Sequence, residues 1–366
     1  MLPGVGLLVT VAILRWPGGG ESPSTADEYL DAFHDPRHPL TIRGWLSRMA
    51  AAVATLGAGA PMGLEGISLY SGTTIGDKVR LATGRLTLGG ERRVLLVAGA
   101  AAGVAAIFKA PATGAVFALE VPYQDDFARR MLIPALVGAA SGYLAFASIH
   151  GTDPLLPIQG DPGFNYVDLV AAIALGLLAG LGARLFAAGL RWAKAVAPRL
   201  SPWWRASVAG LVMVGLVVAS QAATGEPLAL GPGYDAITWA LDPNRALWAV
   251  AALLVIRCAG TTAVLGGRGV GGLFVPLVVA GALLGRFVGG AIHHLETSLY
   301  TVVGVAAFLG AGYRVPLAGV MFVAEATGRP GFVVPGLLAA VAAELVMGRS
   351  SVTSHQLVPG TTATTD

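Results

Sequence analysis

Four short stretches of this chain combine residue types that do chemistry with spacing that suits a helix start. They are Gly63-Leu64-Glu65-Gly66-Ile67, Gly271-Gly272-Leu273-Phe274-Val275-Pro276, and an element that runs from Phe108 to Glu120 and returns from Tyr313 to Glu325. Glycine admits backbone close to a ligand, and proline suits a first helical turn. The free N–H groups of such a turn form an anion site that needs no full positive charge. A carboxylate placed at that mouth, Glu65, can occupy the site itself and leave it on protonation, which makes a gate. The structural alternative is an acid favoured by the helix dipole at an N-terminus. An ionisable group within lipid is costly, however, and marks function.

The elements that must position these residues are those of a membrane protein. Of 366 residues, 55% are hydrophobic and 12% charged, with a mean hydropathy of +0.69; a soluble domain carries about 25% charge. The 51 glycines suit close helix packing in lipid. A single cysteine, Cys258, excludes an internal disulfide and a cysteine-based metal cluster. The net charge of +3 is uninformative as a total. Its distribution is useful: Lys78, Arg80, Arg85, Arg92 and Arg93 form one basic cluster, and Arg184, Arg191, Lys194, Arg199 and Arg205 another. The loops 150–164 and 221–242 contain acids and almost no bases. The positive-inside rule places the basic loops in the cytoplasm, as expected of a multi-pass protein of the cell membrane.

Apolar periodicity predicts helices over about 3–15, 44–60, 94–106, 115–122, 131–147, 166–196, 205–221, 245–258, 273–292, 300–309, 317–325 and 331–347. Several fall short of the ~20 residues that cross a bilayer. Short pieces interrupted by Gly or Pro predict discontinuous helices meeting near the midplane. The first segment lacks the basic start and cleavage site of a signal peptide.

An internal repeat supports a duplicated fold. Residues 102–120 align without gaps onto 307–325, with identities at Ala102/Ala307, Ala106/Ala311, Pro111/Pro316, Gly114/Gly319, Phe117/Phe322 and Glu120/Glu325. Phe108/Tyr313 and Lys109/Arg314 are conservative pairs. The halves run from about 1 to 165 and from 166 to 349, followed by a final short helix and tail over 350–366. The alignment alone does not say whether the halves are parallel or inverted.

With these motifs in order, the chain resembles the ClC family of chloride channels and chloride/proton antiporters, in particular bacterial members without cytoplasmic regulatory domains. Gly63-Leu64-Glu65-Gly66 is similar to the family's G-[RK]-E-G-P motif, with Leu64 in place of the basic residue and Ile67 in place of proline. Gly271 to Pro276 is similar to its G-x-F-x-P motif. The resemblance implies an all-α integral membrane fold of two inverted halves, with short, tilted, discontinuous helices meeting at midplane. It also implies a homodimer with one pore per subunit, chloride as the transported ligand and no organic cofactor.

The resemblance assigns Glu65 as the gate and backbone at Gly63, Gly66, Ile67, Gly272, Leu273 and Phe274 as anion ligands. It places Ser24 on the family's serine ligand, although Ser24-Thr25-Ala26-Asp27 is also an ordinary helix start. Asp27 and Glu28 would repel an anion there unless they point away. For the family's final-helix tyrosine, His355 is the nearest aromatic candidate within 350–356. The antiporters carry an inward-facing glutamate directly after the position of Glu120; here that residue is Val121, as in the channel branch. Glu120, Asp125 or Asp126 are the acids that could substitute, while the plainer reading of Glu120 and Glu325 is structural. The chain starts at what looks like the family's second helix and ends soon after its last, which leaves a nonconducting truncated member as a further reading.

An enzyme is disfavoured. No HExxH, GxSxG, P-loop or CxxC is present, and the adjacent pair His293-His294 does not share a helix face, which argues against a metal site. No feature points to nucleic acid, and the expected surroundings are lipid and small anions.

Overall fold

The structure is a computed structural model and describes residues 2–15, 25–83, 92–156, 158, 163–292, 297–353 and 355–358. Fifteen α-helices lie within them. The first seven are α1 (Leu2–Leu14), α2 (Thr25–His34), α3 (Ile42–Gly57), α4 (Glu65–Thr83), α5 (Arg92–Phe108), α6 (Pro111–Glu120) and α7 (Leu132–His150). The remaining eight are α8 (Tyr166–Val196), α9 (Pro202–Thr224), α10 (Tyr234–Leu241), α11 (Leu247–Gly266), α12 (Phe274–Ala291), α13 (Thr297–Tyr313), α14 (Pro316–Thr327) and α15 (Val333–Met347). Among the described residues, six helices are long and apolar enough to cross a bilayer, and three apolar ones are shorter.

α6, α12 and α14 begin inside the bundle, where Pro111, Pro276 and Pro316 stand in first turns that need no N–H from them. α10 lies within the stretch 221–242, which the apolar pattern does not resolve as a helix; Gly233, in the left-handed region at φ 112°, starts it. α4 and α5 approach so closely that a Cβ on Gly72 would stand 2.0 Å from the Gly99 carbonyl oxygen. α12 and α13 repeat this contact in the other half at Gly281 and Gly304, as small residues permit in lipid.

The repeat is an interlock. The Glu325 carboxylate at the end of α14 accepts from the backbone N–H of Ala112 (2.8 Å) and Thr113 (2.7 Å) and from the Thr113 hydroxyl (2.6 Å) at the start of α6. Glu120 at the end of α6 accepts from Leu317 N (3.1 Å) and Ala318 N (2.9 Å) at the start of α14. Each helix is thus capped by the last glutamate of the other, satisfying N–H groups that water does not reach. Such reciprocity requires α6 and α14 to run antiparallel, so these two copies are inverted. Lys109 and Arg314, at equivalent places, both adopt positive φ (51° and 58°) in the bend that precedes the proline.

The tail departs from expectation. The described residues of 350–358 form no helix. They are an extended strap whose backbone bonds go to other segments: Val352 N donates to Gly312 O (2.9 Å), Leu357 N to Pro122 O (3.1 Å), and Gln124 N to Leu357 O (2.8 Å). The hydroxyl-bearing and β-branched residues of Ser350-Ser351-Val352-Thr353 disfavour a helix and offer competing local hydrogen bonds.

Candidate functional site

Two broken-helix starts meet at the centre of the molecule. Gly63 and Gly272 form an isolated antiparallel bridge, with Gly63 N donating to Gly272 O (3.0 Å) and Gly272 N to Gly63 O (2.8 Å). This bridge joins the segment before α4 to the segment before α12, so Glu65, the first residue of α4, faces the first turn of α12. Its Oε1 accepts from Phe274 N (2.6 Å) and Val275 N (3.3 Å). The Glu65 side chain is 4% exposed, and its Oε2 is buried without a hydrogen-bond partner among the described residues.

Glycine is required on both sides of the carboxylate. A Cβ on Gly63 would stand 1.8 Å from Oε2, and one on Gly272 would stand 2.1 Å from Oε1. Gly66 N lies on the same wall, 2.6 Å from where the Gly272 Cβ would be. Ile67, in the place of the motif's proline, is buried in the smaller apolar cluster with Tyr70 and Leu96. Leu64 is half exposed and carries no charge to the mouth.

The N–H groups at the carboxylate are those of Phe274 and Val275, one residue further along than the Leu273-Phe274 pair read from the motif. Leu273 is the residue preceding the helix, and its carbonyl accepts from Leu277 N (3.1 Å). Tyr313 is buried and lies one ring away from Phe274, on the far side of Phe117. The repeat alignment pairs Tyr313 with Phe108, and both rings belong to the aromatic cluster around Phe274.

His355 is not at the site. Its Nδ1 is 2.5 Å from Asp31 Oδ1, near the surface of α2, because the extended strap carries it there. Ser24 lies outside the described residues. Asp27 and Glu28 divide: Glu28 turns away into an ion pair with Arg48 and a 3.3 Å contact with His38, whereas Asp27 stays inside, bonded to Thr353 and Lys194.

The Phe274 ring holds the site's backbone in place. It stacks on Phe108 (4.4 Å between centroids) and meets Phe117 and Phe322 edge-on at 5.4 and 5.0 Å. Phe117 also meets Tyr313 at 5.4 Å. Both repeat pairs, Phe108/Tyr313 and Phe117/Phe322, thus cluster around the first turn of α12, in the edge-on and offset arrangements aromatic rings prefer.

Glu120 and Val121 lie at the far end of α6. Val121 is fully buried and apolar. Beyond Glu120 lies a cavity of about 310 Å³ lined by Glu120, Asp125, Asp126, Arg314 and Glu344, in which Arg314 pairs with Asp125 and, at 2.9 Å, with Glu344.

Known proteins share this architecture. A solved slow cyanobacterial Cl⁻/H⁺ antiporter superposes with a TM-score of 0.82 at 21% identity, over 94% of this chain and 82% of that one. A CLC-type fluoride/proton antiporter gives 0.81 at 20% identity, over 98% and 88%. In sequence, a putative chloride channel protein, ClcB-like, of Ralstonia nicotianae is 28% identical over 86% of this chain and 74% of its own length. The H(+)/Cl(-) exchange transporter ClcA of Citrobacter koseri is 27% identical over 82% of this chain, which spans 64% of that relative. Residues 5–348 match the family described as voltage gated chloride channel, and the chain belongs to this ClC family of multi-pass membrane proteins.

Proposed function

We propose that the protein moves small anions, chloride foremost, through a pathway gated by Glu65. The observation that carries this is the seating of Glu65 Oε1 on the N–H groups of Phe274 and Val275. A carboxylate and a halide compete for the same donors, so this arrangement is the closed gate. Protonation weakens the carboxylate as an acceptor and removes its charge, which frees the donors for an anion. Chloride, bromide, nitrate and fluoride all accept N–H hydrogen bonds, so the donors alone set no preference among them.

Passive conduction is the reading we favour over proton exchange, because a buried valine follows Glu120 where exchange would use an inner acid. Exchange through another acid is favoured by one observation, the cavity that joins Glu120 to Asp125, Asp126 and Glu344. Purified protein in liposomes under a chloride gradient, with chloride efflux and external pH recorded together, separates the two. Chloride efflux without matching proton movement is the expected result; proton uptake driven uphill at a fixed ratio overturns it in favour of exchange. Glu65→Ala is expected to leave efflux constitutive and insensitive to pH, and retained pH dependence would count against the gate. Val121→Glu supplies the missing carboxylate, and proton flux appearing in that variant alone would identify position 121 as the missing link.

A further inference from the structure

Between α8, α9 and α11 runs a long apolar groove, none of whose lining residues belongs to the Glu65 site. On α8 it is lined by Leu178, Gly182, Leu185, Gly189, Trp192 and Val196, a residue every three or four. That spacing keeps to one face of the helix for about 27 Å at 1.5 Å per residue, close to the thickness of a bilayer's hydrocarbon core. Two cavities of about 400 and 330 Å³ make up the groove, and they share Ala259 and Thr262 of α11. The Thr262 hydroxyl is used within its own helix, donating to Cys258 O (2.8 Å). The interior of the groove therefore presents apolar surface.

One end of the groove is basic. Arg205, in the first turn of α9, is the charged residue in the lining, and no acid lines either cavity among the described residues. Its Nε donates to Gly266 O (2.9 Å) at the end of α11, which fixes the plane of the guanidinium. The two terminal nitrogens make no hydrogen bond or ion pair among the described residues. Arg199, beside Leu200 of the lining, is exposed. Trp192 of the same cavity and Trp204 next to Arg205 are 65% and 66% exposed, as aromatic residues are at the level of lipid headgroups.

The charge selects the occupant. A guanidinium with two unused donors, at a helix start whose dipole favours anions, suits a phosphate. The apolar trough that leads away from it suits an acyl chain. A second copy of the chain, set here about a two-fold axis, would bring one basic rim against the other. We infer that the groove binds an anionic glycerophospholipid, with its phosphate on Arg205 and one acyl chain between α8 and α11. The site shares no residue with the anion pathway and stands whether or not Glu65 is a gate.

The test is native mass spectrometry of the full chain, stripped of lipid in detergent and titrated with phosphatidylglycerol or phosphatidylcholine of identical acyl chains. The first phosphatidylglycerol is expected to bind about fivefold more tightly than phosphatidylcholine, the scale of one basic residue at an anionic surface. Arg205→Gln is expected to abolish this preference and Arg205→Lys to keep most of it. Ala259→Leu, which narrows the lining common to both cavities, is expected to weaken both lipids. Glycerol 3-phosphate in excess is expected to leave the lipid bound. Equal affinity for the two lipids in the wild type overturns the proposal, as does a preference that survives Arg205→Gln. Displacement by glycerol 3-phosphate, or unaltered lipid binding by Ala259→Leu, reduces the site to a phosphate contact and rejects the groove. Should Arg205→Gln fail to fold, the wild-type preference and Ala259→Leu decide.

Discussion

At the residue scale, the site depends on what Gly63 and Gly272 lack. Glu65 reaches the Phe274 and Val275 N–H groups through space that any side chain would fill. The two glycines differ in what else they touch. A Cβ at Gly272 would also meet Gly66 N at 2.6 Å, whereas the nearest atoms at Gly63 all belong to the Glu65 side chain. Gly63→Ala is therefore expected to expel the carboxylate while sparing the backbone. Anion efflux at neutral pH should rise several-fold, toward the level of Glu65→Ala. Efflux from the double variant Gly63→Ala/Glu65→Ala should match Glu65→Ala alone, since the residues act through one contact; additive effects in liposome efflux would show that Gly63 acts elsewhere.

At the element scale, the two repeat helices stabilise each other through their last residues. Glu325 accepts three hydrogen bonds from the start of α6, and Glu120 two from the start of α14. Deleting such an acceptor strands buried donors, each worth about 1–3 kcal/mol. Glu325→Ala is expected to lower the thermal unfolding midpoint of the detergent-solubilised protein more than Glu120→Ala. Gln at either position should recover part of the loss, because its carbonyl still accepts from the backbone. Equal midpoints for Glu325→Ala and wild type would refute the cap. Both glutamates stood out in the sequence as matched acids, and their structural role follows from the antiparallel approach that the repeat alignment leaves open.

At the scale of the whole molecule, the strap ties the halves together. Gln356 Nε2 donates to Val121 O (3.0 Å) in one half and to Tyr313 O (2.7 Å) in the other. His355 adds a link to Asp31 on α2, and that carboxylate holds the imidazole pKa above its ordinary 6.5. A group whose pKa is raised on folding contributes stability that is complete below 6.5 and is lost as pH rises through the higher, folded value. Thermal stability is thus expected to fall modestly as pH is raised across that window, and His355→Ala should flatten the dependence. A midpoint that falls equally in His355→Ala would assign the effect to another group.

Much was legible in the sequence because local rules operate within a few residues. Apolar composition required a membrane fold, Pro and Gly marked the broken helices, and Glu65 between glycines marked the carboxylate that meets the start of α12. The sequence also determined that Val121 leaves α6 without a second acid, since that is a matter of residue identity alone. What the tertiary structure decided depended on contacts between distant segments. It set the inversion of the repeats, through caps some 200 residues apart. It carried His355 to Asp31 of α2 and away from the α12 turn, because the residues after α15 run extended instead of forming a helix. It also sent two adjacent buried acids to different partners, Glu28 to Arg48 of α3 and Asp27 to Lys194 of α8 and Thr353 of the strap. Adjacent helical residues point about 100° apart, and the packing of α2 against α4 and α5 fixes which partner each of them meets.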